Sequence, residues 1–192
     1  VLNGTAAPNH YNKIYSNYIS NVNMGITIIG SSNPQYMDDG NDIGGSSSST
    51  GNTITNFGGK YATASFFYNS GVVYGIFSNH QINENIAYNT LESSTLTGSG
   101  TVRGIVKTYS KFNPDVNATI TSTIAHNIIT YDNQFTTGTF ELIRSEAQNS
   151  DLPNFTININ NNELINNIAL NVVITGIINT ARYGTLNINY NT

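Results

Sequence analysis

The chain has 192 residues, no cysteine, 9% charged residues and a formal net charge of −4. That length holds one large domain with a real core. The absence of cysteine excludes a disulfide framework, and the lack of any basic stripe excludes the tracking of a nucleic-acid backbone.

Asparagine supplies about one residue in six, and serine with threonine about one in five. The polarity is therefore uncharged, and lysine occurs only at positions 13, 60, 107 and 111. Carboxylates lose their charge below about pH 4, and their ion pairs fail, while amides and hydroxyls bond as before. This composition predicts tolerance of acid. Isoleucine, valine, tyrosine and phenylalanine dominate the apolar fraction and suit a pleated, half-buried surface, so the class is all-β. No apolar run is long enough to span a bilayer. The chain starts at Val1 without a basic n-region and short apolar block, which predicts a mature, secreted product.

In chain order, "NKIYSNYISNVNMGITIIG" (12–30) alternates through Tyr18, Val22, Met24, Ile26 and Ile28. It reads as one very long strand or two consecutive strands with different partners. The turn-rich stretch after Ile29, through "DDGND" and Ser46 to Ser49, reads as a surface loop. "KYATASFFYNSGVVYGIFSN" predicts a hairpin turning at Asn69-Ser70-Gly71. A second pair covers "NIAYNTLESSTLTG" and "GTVRGIVKTYSKF". Its return strand carries Arg103, Lys107 and Lys111 along one side, a pattern that blunts a sheet edge. "NATITSTIAHNIITY" puts Ile120, Ile124 and Ile128 inward in a single strand. "FTTGTFELIR", "FTINI", "LINNIALNVVITG" and "ARYGTLNINYNT" supply the rest. Short strands with turns about every ten residues, and no internal repeat that suggests a solenoid, predict an antiparallel sandwich.

Chemistry-bearing motifs are sparse. No Gly-x-Ser-x-Gly elbow is present, and His10, His80 and His126 lack the spacing of a metal helix. His126 is expected as a hydrogen-bonded imidazole on the apolar face of its strand. Asp38, Asp39 and Asp42 resemble a fragment of a calcium loop without its full ligand spacing, and a plain turn is the preferred reading. Glu84, Glu92, Glu141, Glu146 and Glu163 are the candidate carboxylates for glycoside hydrolysis, with no sequence reason to pair any two. Asn3, Asn117 and Asn154 head N-glycosylation acceptors, so N-linked glycans are expected, with no other cofactor. Lys60 and Lys107 are candidates for a covalent bond to an asparagine.

Residues 1–20 hold Leu2, Tyr11, Ile14, Tyr15, Tyr18 and Ile19, apolar groups that a disordered tail has little reason to carry. With its Asn, Thr, Ser and Tyr richness and its scarcity of charge and cysteine, the chain resembles the thread pilins of acidophilic archaea, and more distantly the chaperone–usher pilins of bacteria. The bacterial pattern is departed from: there is no cysteine, and Tyr190 is third from the end. The resemblance implies an immunoglobulin-like antiparallel β-sandwich (21–192) preceded by a donor strand (1–20). Those six residues would form the interface between identical subunits of a glycosylated, non-enzymatic extracellular filament, serving adhesion or a biofilm. The alternatives are a secreted carbohydrate-binding sandwich, an acid hydrolase, and a surface-layer or viral shell protein.

Overall fold

The computed structural model describes residues 8–33, 36–58, 72–93, 101–109, 119–132, 138–147, 151–167 and 172–192. It is all-β, with no α-helix among those residues. The strands follow one another in coils. The first coil holds β1 (Lys13–Ile14), β2 (Tyr18–Ser20) and β3 (Met24–Ile29). The second holds β4 (Asp38–Asp39), β5 (Asp42–Ile43), β6 (Thr53–Thr55) and β7 (Val72–Asn79). The third holds β8 (Gln81–Ile82), β9 (Asn85–Ala87), β10 (Thr90–Ser93) and β11 (Thr101–Tyr109). The fourth has β12 (Ile120–Ala125), β13 (Ile128–Tyr131) and β14 (Thr139–Ala147), and the fifth β15 (Asp151–Asn160), β16 (Glu163–Asn166) and β17 (Val173–Asn179). β18 (Arg182–Asn189) opens a sixth.

Sheet 1 runs β1-β5-β9-β12-β15-β18, sheet 2 runs β2-β6-β10-β13-β16, sheet 3 runs β3-β7-β11-β14-β17, and β4 pairs with β8. Every strand pairing is parallel. The expected antiparallel sandwich is therefore corrected: the chain is a parallel β-solenoid in which each strand pairs with its counterparts one coil away. Alternation of apolar and polar residues is the same for any strand with one buried face, so it could not tell the two architectures apart.

The local expectations change with it. The tail of the expected hairpin, β7, pairs with β3 and β11, whereas Asn69 to Gly71 lie outside the described residues. β10 and β11 belong to different sheets. "NATITSTIAHNIITY" is broken at His126-Asn127 into β12 and β13, which face different directions. β11 is a central strand flanked by β7 and β14, so Arg103 and Lys107 blunt no edge; Lys111 is outside the described residues.

The core is built from stacked columns. On sheet 1, Ile14, Ile43, Ile86, Ile124, Ile159 and Ile188 lie opposite one another in register. Sheet 2 stacks Ile19, Ile54, Leu91, Ile129 and Leu164. Sheet 3 stacks Ile26, Ile76, Ile105, Ile143 and Ile177. Most of these side chains join one continuous core cluster. Each fully buried Ile or Leu contributes about 1.5–3 kcal/mol, so the stack of coils is held chiefly by its interior.

The corner between sheets 1 and 2 repeats as well. Ser16, Tyr88, His126, Asn161 and Tyr190 adopt φ of 53–59°, and each is followed by an asparagine: Asn17, Asn89, Asn127, Asn162 and Asn191. Asn52 fills the same place in the second coil. Each amide in this ladder donates through Nδ2 to Oδ1 of the next, at 2.9, 2.8, 3.0, 3.0 and 2.9 Å from Asn17 to Asn191. The backbone N–H of each donates to the same Oδ1. From Asn52 onward, Nδ2 also reaches back to the carbonyl of Ile14, Ile43, Ile86, Ile124 or Ile159. One side chain thus ties three coils, which offsets the cost of roughly 1–3 kcal/mol for a residue held at positive φ. The motif Ile-x-x-Asn-x-Ile/Leu stands in the sequence at IYSNYI, IAYNTL, IAHNII and INNNEL. It is the internal repeat that the sequence reading missed.

Candidate functional site

The two ends of the solenoid are its least finished parts. At one end lie β1, β2 and β3, whose outer edges pair with no further strand among the described residues. Ile14 and Ile19 pack against the chain's own core, and the Tyr15 hydroxyl donates to Asp42. That bond pushes the Tyr15 hydroxyl up to about 12, through the hydrogen bond first and then burial and the Asp42 charge. Tyr11 and Tyr18 are exposed at 70% and 73%, and Leu2 lies outside the described residues. The expected donor strand is therefore corrected for its described part: residues 13–20 form strands of the chain's own first coil, and β2 leads into β3 without a break at residue 20.

At the other end, Leu186 and Ile188 continue the inward columns of Ile157 and Ile159 but are 37% and 45% exposed, with no strand beyond β18 among the described residues. Beside them opens a hollow of about 500 Å³ lined by Leu164, Gly176, Ile177, Ile188, Tyr190 and Asn191 among others. Asn17 at the first end accepts no ladder bond at Oδ1 among the described residues, while every other rung does.

Over the last three coils sheet 1 carries three regular uncharged rows, beyond which the exposed Arg182 stands at the start of β18. Register places Thr121, Thr156 and Thr185 in one row, Thr123, Asn158 and Asn187 in the next, and Ala125, Asn160 and Asn189 in the third. Asn187 Nδ2 donates to Asn158 Oδ1 at 2.8 Å, and Asn189 Nδ2 to Asn160 Oδ1 at 3.3 Å. The rim is the column of positive-φ residues, where Tyr88 and His126 stack at 4.7 Å with planes 8° apart and Tyr190 is 83% exposed. His126 is thus an exposed corner residue, which corrects its expected place on an apolar strand face; the turn reverses which way the next side chain points.

The remaining charged groups lie mostly on the other sheets and in the interior. On the outer face of sheet 3, Arg103 Nε donates to Glu141 Oε2 at 2.6 Å and Arg144 bonds both Glu141 and Glu146. The Arg103 guanidinium sits 5.9 Å from the Tyr74 ring centre. Glu141 and Glu146 are therefore brought together, each held by an arginine. Glu92 and Glu163 lie on sheet 2. Glu84 is inside the solenoid, paired with Lys107 through one oxygen: Nζ is 2.8 Å from Glu84 Oε2, both side chains are wholly buried, and Ser78 Oγ donates to the same oxygen. Burial pulls the Lys107 ammonium down, but the Glu84 charge and hydrogen bond, with Tyr109 and Tyr183, outweigh it and raise it overall. Lys107 has no asparagine among its bonded partners, which are Glu84 and the Gln81 carbonyl. This polar centre was not legible in the sequence, where Lys107 sits in an ordinary alternating strand.

The three aspartates diverge: Asp38 is buried and accepts from Gln81 Nε2, Asp39 accepts from Asn83, and Asp42 from Tyr15 and Asn85. They form no group able to hold a metal ion among the described residues. His10 pairs with Asp39 in a β-bridge, and His80 is buried at a corner with φ 56°. Of the glycosylation candidates, Asn154 is exposed in β15, while Asn3 and Asn117 fall outside the described residues, as does Lys60. No helix of the described residues is long and apolar enough to cross a membrane. Compared with family models, curated proteins and solved structures, the chain matches none.

Proposed function

We propose that the protein is a structural subunit of an extracellular filament, built by stacking the last coil of one copy on the first coil of the next. The observation that carries this reading is the outer edge of β18, which pairs with no further strand among the described residues, so that Leu186 and Ile188 hold their places in the core columns part-exposed. A copy placed there extends sheet 1 beyond β18 and adds a rung beyond Asn191. The two surfaces differ, so the contact is heterologous and repeats as a rod instead of closing as a dimer. This replaces strand donation into a sandwich groove, since the described strands form parallel sheets and not a sandwich. The uncharged surface suits an acidic exterior, and the exposed Asn154 suits a glycosylated one.

The reading is tested by sedimentation velocity and electron microscopy across a concentration series. Rods one solenoid wide that grow with concentration are expected, and Leu186→Lys/Ile188→Lys should leave monomers whose far-ultraviolet circular dichroism matches that of the parent. Monomers alone at every concentration, or rods indifferent to that double substitution, would overturn it.

A further inference from the structure

We propose that the outer face of sheet 1 over the last three coils binds a neutral polysaccharide, laid along the solenoid axis with one sugar per coil. The inference is independent of filament assembly, because this face points sideways and takes no part in the stacking of ends.

Three features select the ligand. First, the rows of Thr121, Thr156 and Thr185, of Thr123, Asn158 and Asn187, and of Asn160 and Asn189 contain no charge and no large apolar side chain; Ala125 is buried beneath the third row and Arg182 stands outside the rows at the start of β18. An ionic partner finds no counter-charge in them and an apolar partner no surface, so their complement is an uncharged chain rich in hydroxyls. The faces of the other two sheets differ in kind: sheet 3 carries the Arg103–Glu141–Arg144–Glu146 ion pairs, and sheet 2 carries Glu92 and Glu163.

Second, hydrogen-bonding capacity remains unspent. The hydroxyls of Thr121, Thr123, Thr156 and Thr185 make no side-chain hydrogen bond among the described residues. In the amide pair, Asn158 Oδ1 accepts from Asn187 Nδ2, which leaves Asn158 Nδ2 and Asn187 Oδ1 without a partner among the described residues. The Asn158 coil thereby offers an amide donor and the Asn187 coil an amide acceptor, with threonine hydroxyls in all three coils, and groups of this kind pair well with vicinal hydroxyls. Because the amides already restrain each other, little side-chain entropy is left to lose on binding.

Third, the array is periodic. Successive coils are about 4.8 Å apart, comparable to the advance per sugar of an extended β-linked chain, so identical contacts recur along a polymer and no monosaccharide collects more than one set. The rim adds apolar faces at the corner, with the outer face of the His126 ring and the exposed Tyr190 placed to pack against the less polar face of a sugar. At the opposite end the loop that carries Gly45, held by Asn85 Nδ2 at 3.0 Å, bounds the array.

The test is affinity electrophoresis of the full chain in gels containing glucomannan or mixed-linkage β-glucan, with polygalacturonate as the anionic comparison. Retardation in the neutral gels that persists in 0.5 M salt is expected. Asn158→Ala/Asn187→Ala should weaken it by about tenfold, the equivalent of one or two hydrogen bonds to a neutral partner. Tyr88→Asn/His126→Asn should weaken it less, asparagine being tolerated at positive φ. Melting temperature and far-ultraviolet circular dichroism of each variant confirm that the fold is intact. No retardation in either neutral gel, retardation indifferent to the Asn158/Asn187 substitutions, or retardation by polygalacturonate alone that salt abolishes would each overturn the proposal. So would ice-crystal shaping by a protein that no polysaccharide retards, which would assign the array to an ordered water lattice.

Discussion

Asn89 and Asn127, both wholly buried, are stacked one coil apart so that Asn89 Nδ2 lies 3.0 Å from Asn127 Oδ1, and the Asn89 backbone N–H meets the same oxygen at 3.0 Å. Removing the Asn127 side chain therefore takes the acceptor from the Asn89 backbone N–H, one of the acceptors of Asn89 Nδ2, and a donor from the Ile86 carbonyl at once, while Asn162 Oδ1 keeps the residue-127 backbone N–H. A buried polar group left unsatisfied costs about 1–3 kcal/mol. Asn127→Ala should destabilise the protein by at least about 3 kcal/mol. Asn17→Ala, at the exposed start of the ladder, should cost less than about 1.5 kcal/mol. Urea melts of the two variants measure the contrast, and equal losses would deny that the ladder binds coil to coil.

A second contrast sits on sheet 3. The strands there skip one paired position in every coil, at Gly25, Gly75, Gly104, Leu142 and Gly176. At Gly104 a Cβ would lie 2.4 Å from the Leu142 carbonyl oxygen and 2.8 Å from Ile129. A backbone oxygen cannot swing away as a side-chain tip does, so Gly104→Ala should cost about 1–3 kcal/mol by overpacking. At Gly176 the nearest atom to such a Cβ is Leu164 Cδ1 at 3.6 Å, an ordinary contact. Gly176→Ala should therefore be neutral within about 0.5 kcal/mol. Thermal melts of the pair decide the matter.

How much of this was written in the sequence differs from element to element. The all-β class followed from the apolar composition, and the inward face of β12 was legible from Ile120 and Ile124. What those residues do not contain is the direction of their neighbour, because Ile124 alternates identically whether Ile86 approaches parallel or antiparallel. The missing signal was the recurrence of Ile-x-x-Asn-x-Ile/Leu, obscured by an insertion between Ile43 and Asn52 and by coils of unequal length. Against a background of one asparagine in six residues, the ladder asparagines look like any others until their positions three residues after each column isoleucine are compared. The outer array was missed for the same reason. Thr156, Asn158 and Asn160 alternate with Ile157 and Ile159 as a half-buried strand should, and only the register with β12 and β18 assembles them into rows.

The buried ion pair makes a sharper prediction than any surface charge. Lys107 occupies an interior column between Ser78 and Ser145, and Glu84 Oε1 has no hydrogen-bond partner, so the pair is compensated by little besides itself, Ser78 and the Gln81 carbonyl. Lys107→Met leaves the Glu84 carboxylate in the interior without a counter-ion and should cost about 3–5 kcal/mol. Lys107→Met/Glu84→Gln removes both charges and should recover at least half of that loss, since an uncharged pair carries a far smaller desolvation penalty. Denaturant titrations of the two variants test this. A double substitution that is no better than the single one would show that the geometry of the pair, and not its charge, is what the core requires.

His80 sets a limit on acid stability that the uncharged surface does not remove. Burial, and then the nearby Lys107 charge, lower its pKa below the usual value of 6.5. The unfolded chain therefore takes up a proton at this residue at a higher pH than the folded one. Stability from this group is fully present above pH 6.5 and is lost as the pH falls below it, until the folded imidazole is itself protonated. The slope in that window is bounded by one proton, about 1.4 kcal/mol per pH unit. His80→Asn keeps a residue suited to the φ of 56° and removes the titration. Its melting temperature should be nearly flat between pH 5 and 7, while that of the parent falls toward pH 5. Melting curves taken at half-unit steps give the answer, and parallel curves for the two proteins would exclude His80 as the source of acid sensitivity.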